Sequence, residues 1–452
     1  ILSASGLLLW PVVGGLMDGP AAPDPAVRAA GPPPITAAMA EPAAPASAPA
    51  AAVAPAPAGL PDEVTDLNER AHVAIAEGRP GDAVSLLEAA LARAPDETVL
   101  ATNLAYAYFL RGKASLEALD FDRALADQRR AVEHNDAEPL YKLHLGNTLL
   151  RVYRLDEARA ALTAAVEQDP SHVEALILLG DALALADELA LAAEQYDRAV
   201  ALAEGDKATL ASRAAERTRR QIEVERDYVT EASSSFLLRH PPGTNFLELL
   251  SVLERARGEV IAELGLRPSN RALVVLYPPE DFRAVTGTHE WVGGLFDRKI
   301  RLPIGDVDSD GERIEAAFRH EFAHLLVSVL APRCPAFLNE GLAQFVEFGR
   351  GEGLGRLVEF VDGRGMARED VPDLSDLPAS FLALSDKTQV SLGYRLSFAF
   401  VDHVVAHHGL ATAVRWVRES ARLSVDEAYR SATGRSLDAE QAIFRELLRT
   451  AR

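Results

Sequence analysis

One cysteine, Cys334, stands in 452 residues. An intrachain disulfide is therefore impossible, and the thiol count alone fits the cytosol as well as a bacterial envelope protein. Basic charge is also in deficit: 46 Lys and Arg face 67 Asp and Glu, a formal net charge of −21. No large basic stripe breaks that acidic background, which excludes a general nucleic-acid binder. The densest basic cluster, Arg213 to Arg220, is interleaved with acids and reads as a solvated helix face. What the chain has in quantity is ordinary soluble material, 48% hydrophobic and 25% charged. Its length exceeds what one core usually serves, so two folded domains plus flexible parts are expected.

Charge is missing altogether from residues 1–17, ILSASGLLLWPVVGGLM. The stretch predicts a secretory signal or a short membrane anchor, although Pro11 and the Gly14–Gly15 pair interrupt it. Residues 18–60 form an Ala/Pro tract with little bulk to bury and a preference for extended conformations, so they read as a linker. Together the two segments predict an N-terminal membrane tether and a bacterial cell-envelope location, periplasmic or membrane-anchored.

From 61 to 205 the sequence repeats. Gly146 and Gly180, Ala158 and Ala192, and Ala165 and Ala199 are each separated by the same interval, and Ala71, Ala83, Ala90 and Pro95 continue the frame one register earlier. Small residues at these places let paired helices approach closely. The pattern resembles the tetratricopeptide repeat, a helix pair of about 34 residues that stacks into a solenoid. The resemblance implies an α-helical solenoid with a surface for a protein partner. The second unit departs from it, because KASLEALDFD inserts residues between Ala105 and Ala124. Residues 206–232 predict a connecting helix. Beyond it, 233–452 reads as α+β: FLELLSVLERARGEVIAELGL is helical, RALVVLY is a strand, and KIRLPI is a second strand placed at a sheet edge by its Pro303.

The octet RHEFAHLL, 319–326, sets His320, Glu321 and His324 in an apolar run. On a helix, residues four apart share a face, so both imidazoles can reach one metal ion, while Glu321 stands beside them to take a proton from water. Imidazole and carboxylate ligands with an open position suit zinc. A third ligand is offered downstream. Pro332 and Pro335 turn the chain, and LNEGLAQFVEF returns as a helix carrying Glu340.

The assembly FRHEFAHLL…PAFLNEGLAQFVE resembles the gluzincin metallopeptidases, in particular peptidase MA-like hydrolases that carry tetratricopeptide repeats. The resemblance runs from about Val229 to the C-terminus, with Phe337 standing where that family more often has Trp. It implies a zincin-type metallopeptidase domain acting on a peptide or protein substrate. Residue by residue, it implies His320, His324 and Glu340 as zinc ligands, Glu321 as general base, and Tyr394 as a donor to the developing oxyanion.

Several neighbours are weighed at the same time. Gln344 is a candidate to hold the free nitrogen of His320, and Glu347 is a rival third ligand. The KIRLPI edge is a candidate for strand addition by an extended peptide. His403 and His407 read as helix-terminal surface histidines, Cys334 as a lone thiol beside a turn, and His289 as no motif. Two further readings stay open: a tetratricopeptide scaffold with an inactive, structural zincin domain, and a zinc hydrolase acting on something other than peptides.

Overall fold

The computed structural model describes residues 10–11, 54–57 and 59–451, apart from 119, 153, 269–270, 288–293, 305–306, 333, 379–380 and 382–385. The chain forms two compact units, Ala38–Arg219 and Arg220–Arg452, with the N-terminal strand residues belonging to the second.

The first unit is built from four helix pairs. These are α1 (Asp62–Ala76) with α2 (Pro80–Arg93), α3 (Thr98–Glu117) with α4 (Phe121–His134), α5 (Pro139–Arg151) with α6 (Leu155–Gln168), and α7 (Val173–Leu185) with α8 (Leu189–Leu202). Pro80 and Pro139 open their helices at the first position, where the missing N–H costs nothing. Asp120, Glu138 and His172 cap α4, α5 and α7 with side-chain acceptors. The repeated small residues do what the spacing predicts. Ala71, Ala83, Ala90, Ala158, Ala192 and Ala199 are fully buried. A Cβ added at Gly180 would fall 2.5 Å from the Tyr196 ring, so only glycine lets α7 and α8 meet there. The KASLEALDFD insertion lengthens helix α3 to 20 residues, against 13 in α5 and in α7.

The connecting helix α9 (Gly205–Val224) is shorter than the sequence suggested. It ends before the Val- and Thr-containing segment that forms strand β2 (Val229–Ala232), since β-branched residues there pair with β3 (Phe236–His240) instead. The second unit continues with α10 (Phe246–Leu264), β4 (Ala272–Tyr277), α11 (Pro279–Thr286), β5 (Leu295–Phe296) and β6 (Ile300–Pro303). Among the described residues seven α-helices follow: α12 (Val307–Leu330), α13 (Ala336–Phe348), α14 (Gly353–Gly363), α15 (Lys387–His408), α16 (Leu410–Glu419), α17 (Val425–Thr433) and α18 (Leu437–Thr450). With β1 (Trp10–Pro11), the strands make an open mixed sheet in the order β1-β5-β6-β4-β3-β2. Phe236, Leu238, Val274, Leu276, Ile300 and Leu302 carry the sheet's side of a core that α10, α12, α13 and α15 complete.

Two expectations are corrected here. The KIRLPI strand is not the sheet edge, because β6 lies between β4 and β5. Its Pro303 is tolerated at the strand's last residue, where no further ladder donor is needed. The membrane tether and the membrane-anchored, envelope location are also overturned: among the described residues no helix is long and apolar enough to cross a membrane. The part of the 1–17 segment that is described, Trp10–Pro11, is a strand paired with β5, and the rest of the segment and most of the 18–60 linker lie outside the described residues.

Candidate metal centre

Helix α12 packs against α10 and the sheet, and the turn after it is set by proline. Ala331 closes the helix, Cys334 is buried in the turn, and Pro335 opens α13. The returning helix therefore lies alongside the histidine face of α12. His320, His324 and Glu340 are each fully buried, and one ligand atom from each lies within 4.8 Å of the others. His320 Nε2 is 3.4 Å and His324 Nε2 3.6 Å from the same oxygen, Glu340 Oε2. A tetrahedral ion with bonds of about 2.0–2.1 Å spaces its ligands by roughly 3.4 Å. Each imidazole thus stands from Glu340 at about the separation a shared cation would set, and too far from it for a good hydrogen bond. His320 Nε2 and both Glu340 oxygens make no well-formed hydrogen bond among the described residues, although His320 and Tyr394 both stand near enough to Glu340 to favour its charged form. Orphaned polar atoms in a dry interior are costly, so their convergence fits a metal.

The far side of each imidazole is held. Glu347 Oε2 lies 2.8 Å from His320 Nδ1, and Asn339 Oδ1 lies 3.0 Å from His324 Nδ1. Both partners favour Nδ1–H, which turns Nε2 into the lone-pair donor that a metal requires. Glu347 therefore meets His320 from behind, at the ring nitrogen turned away from Glu340. Gln344 does not reach His320; its Nε2 donates to the Tyr394 carbonyl at 3.0 Å and ties α13 to α15. Asn339 went unnoticed in the sequence, although it stands directly before Glu340.

Electrostatics points the same way. Burial drives the Glu321 carboxyl well above its usual range, with Glu340 and Glu347 adding repulsion. Burial also raises Glu340 and depresses His324. His320 is pushed up, since Glu340 and Glu347 together outweigh the burial that would lower it. Two buried carboxyls, Glu321 and Glu340, are thus disfavoured as anions, a penalty that a bound cation would relieve. Glu321 is fully buried, and neither of its carboxylate oxygens has a hydrogen-bond partner among the described residues. Gly294, just before β5, flanks it so closely that a Cβ there would fall 2.9 Å from Glu321 Oε1.

Tyr394 lies on α15 with its ring 5.0 Å from Phe381, and burial beside Glu340 and Glu321 keeps its phenol well above the usual range. It is therefore a neutral O–H donor next to the carboxylates. Cys334 takes no part: burial pushes its thiol up to about 12. His403 is buried rather than exposed, 2.9 Å from Glu440 Oε1, and His408 is 3.2 Å from Glu440 Oε2. His289 lies outside the described residues.

Comparison with known proteins bears on the first unit. A tetratricopeptide-repeat family model matches residues 68–139 and 143–207. The first unit is a tetratricopeptide-repeat solenoid. No curated protein matches the chain. Similar solved structures include a tetratricopeptide repeat protein from Parabacteroides merdae, 12% identical, covering 75% of this chain and 99% of its own at a TM-score of 0.32. The Arabidopsis OM64 TPR domain is 20% identical, covering 27% and 99% at 0.26. YrrB, described as a TPR protein with an unusual peptide-binding site, is 25% identical, covering 33% and 73% at 0.27. The assignment of the tetratricopeptide fold rests on the family model and on the four helix pairs themselves.

Proposed function

We propose that this chain joins a polypeptide-binding tetratricopeptide solenoid to a zinc-dependent peptide hydrolase of gluzincin type in residues 233–452. The observation that carries the hydrolase half is the pairing of three converging donors with Glu321. A structural zinc site closes its coordination with four protein ligands, whereas His320, His324 and Glu340 leave one position open. Glu321 adds a buried carboxylate with no hydrogen-bond partner among the described residues, and no structural use accounts for it.

Zinc held by these three residues would acidify water and polarise the scissile carbonyl. The chain's own groups do the rest. Glu321 accepts the proton of the attacking water and delivers it to the leaving nitrogen, a task that burial favours by raising the carboxyl above its usual range and so making it a stronger base. The Tyr394 O–H donates to the oxygen on which negative charge develops. Glu347 and Asn339 keep both imidazoles in the donor tautomer throughout. The apolar packing of α12 and α13 keeps bulk water from the site.

A second reading has specific support. The family comparison matches only the solenoid, so it bears more directly on a tetratricopeptide scaffold whose second unit is inactive. The two readings part in one experiment: zinc content of the purified chain by elemental analysis, then hydrolysis of a mixed peptide library. The hydrolase reading expects one zinc per chain, lost in His324→Ala and kept in Glu321→Gln, with cleavage abolished in both. Zinc without cleavage supports the scaffold. No zinc, even after reconstitution, overturns the hydrolase.

A further inference from the structure

Ala54 precedes the helix pairs in sequence, yet it is gripped by three side chains of the first two repeats. Its N–H donates to Asn103 Oδ1 at 2.9 Å, and its carbonyl accepts from Asn103 Nδ2 at 2.8 Å and from Asn68 Nδ2 at 3.3 Å. His72 Nε2 lies 3.1 Å from the same carbonyl oxygen. The second proton of Asn103 Nδ2 goes to Asn68 Oδ1 at 2.8 Å, which locks the two amides together. Asn68 is on α1 and Asn103 on α3, the leading helices of consecutive pairs, and both are buried.

The contacts made to Ala54 all go to its main-chain atoms. Asn103 reads both the N–H and the C=O of one residue, as a neighbouring β-strand would. No atom of the Ala54 side chain is read, so the array is chemically a receptor for extended backbone with small side chains. The segment suits it. Pro55 holds the preceding residue out of helical conformation, and Pro57 keeps the next stretch extended, so little conformational freedom is lost on docking.

We propose that this face of the first two repeats is a cleft for extended polypeptide main chain, and that the chain plugs it in cis with its own residues 54–57. The proposal rests on the solenoid half of the function proposed above and deepens it. The plug is attached only a few residues before α1 begins at Asp62, which gives it an effective concentration on the order of millimolar or higher. A partner polypeptide must displace it, and partners offering Ala-Pro-like extended segments are the ones whose backbone fits.

Hydrogen–deuterium exchange of the full chain, resolved to the Ala54 amide, tests this. The readout concerns the free chain, so it does not depend on whether the solenoid takes a partner or the metal centre turns over. The expected result is exchange at least tenfold slower than for an unstructured amide of the same sequence, with that protection lost in Asn103→Ala while helical circular dichroism is retained. Should Asn103→Ala fail to fold, the double change Pro55→Gly and Pro57→Gly alters only the docked segment. It is expected to lower protection about tenfold by restoring backbone freedom to the undocked state. Exchange at the unstructured rate in the unmodified chain, or protection that survives these changes, overturns the proposal.

Discussion

Glu347 shows how much of the metal centre lies behind the donors. Its carboxylate is 2.8 Å from His320 Nδ1, on the ring edge away from the other two donors. Removing it leaves His320 free to take either tautomer and to rotate, while the three donor atoms stay in place. Glu347→Ala is therefore expected to weaken zinc binding about 10–100-fold, the usual cost of losing such support. Glu347→Gln, which keeps an acceptor, should retain most of the affinity. Competition against a chromophoric chelator measures both, and equal affinities in all three proteins would mean that Glu347 does not position His320. The donors were legible in the sequence because one helix carries His320 and His324 at a spacing that fixes their common face. The supports were not. Whether Gln344 or Glu347 meets His320 depends on how α13 is rotated against α12, and a helical pattern of Phe, Leu and Val on nearly every side leaves that rotation open. The burial of His403 was illegible for a similar reason, since Glu440 lies 37 residues away on α18.

Helix contact sets that rotation, and Gly341 is where it is fixed. A Cβ at Gly341 would fall 2.4 Å from the Ser397 carbonyl oxygen and 2.5 Å from Val401 Cγ2 on α15, so no side chain fits without parting the helices. Gly341→Ala must push α13 away from α15 and carry the adjacent Glu340 with it. The expected outcome is a loss of about 1–3 kcal/mol in stability, typical of overpacking, together with weaker zinc binding. Denaturant unfolding in the presence of a chelator isolates the first effect, and metal titration the second.

Within the solenoid, the α7–α8 contact sets up a pH dependence. Asp181 is buried against Tyr196, whose O–H donates to Oδ1 at 2.7 Å, and burial raises its carboxyl to about 7. The unfolded chain holds an ordinary aspartate near 3.9. Between these values the folded form keeps a proton that the unfolded form has lost. The stabilisation is present below about pH 4 and disappears as pH rises through about 7. Asp181→Asn preserves the acceptor and removes the titration. Its stability relative to the unmodified chain should grow by up to about 1.4 kcal/mol per pH unit across that window and level off above it. A difference that stays constant with pH would show that Asp181 is ionised in the fold. Sequence could not reveal this, because an aspartate directly after the packed Gly180 gives no sign of facing inward.

At the scale of the whole molecule, the two compact units carry separate cores. One is drawn wholly from residues between Phe236 and Leu448, and the solenoid clusters lie between Val64 and Ala215. The repeat period made the solenoid legible because each unit repeats the same close contacts. The sheet was less so: its β5 strand has only two residues, too few to show a period, and that shortness concealed the interior place of β6. The separation of cores has a thermodynamic consequence. Zinc bound by His320, His324 and Glu340 would link α12 to α13 inside the second core alone, so its removal should be felt by one unit only. At a free zinc concentration a thousandfold above Kd, binding stabilises by about 4 kcal/mol. In a unit of this size each kcal/mol shifts the midpoint by roughly 2–4 °C, so chelation should lower one calorimetric transition by about 8–16 °C. The solenoid transition should stay where it is, identified by its own shift in Asp181→Asn. A chelator that moves both transitions would mean that the units unfold as one, and one that moves neither would mean that the three donors hold no metal. Glu321→Gln separates structure from catalysis at this scale. On the proposed reading it should melt like the zinc-loaded unmodified chain while cleaving no peptide, since the carboxylate would then contribute to proton transfer and not to holding the helices together.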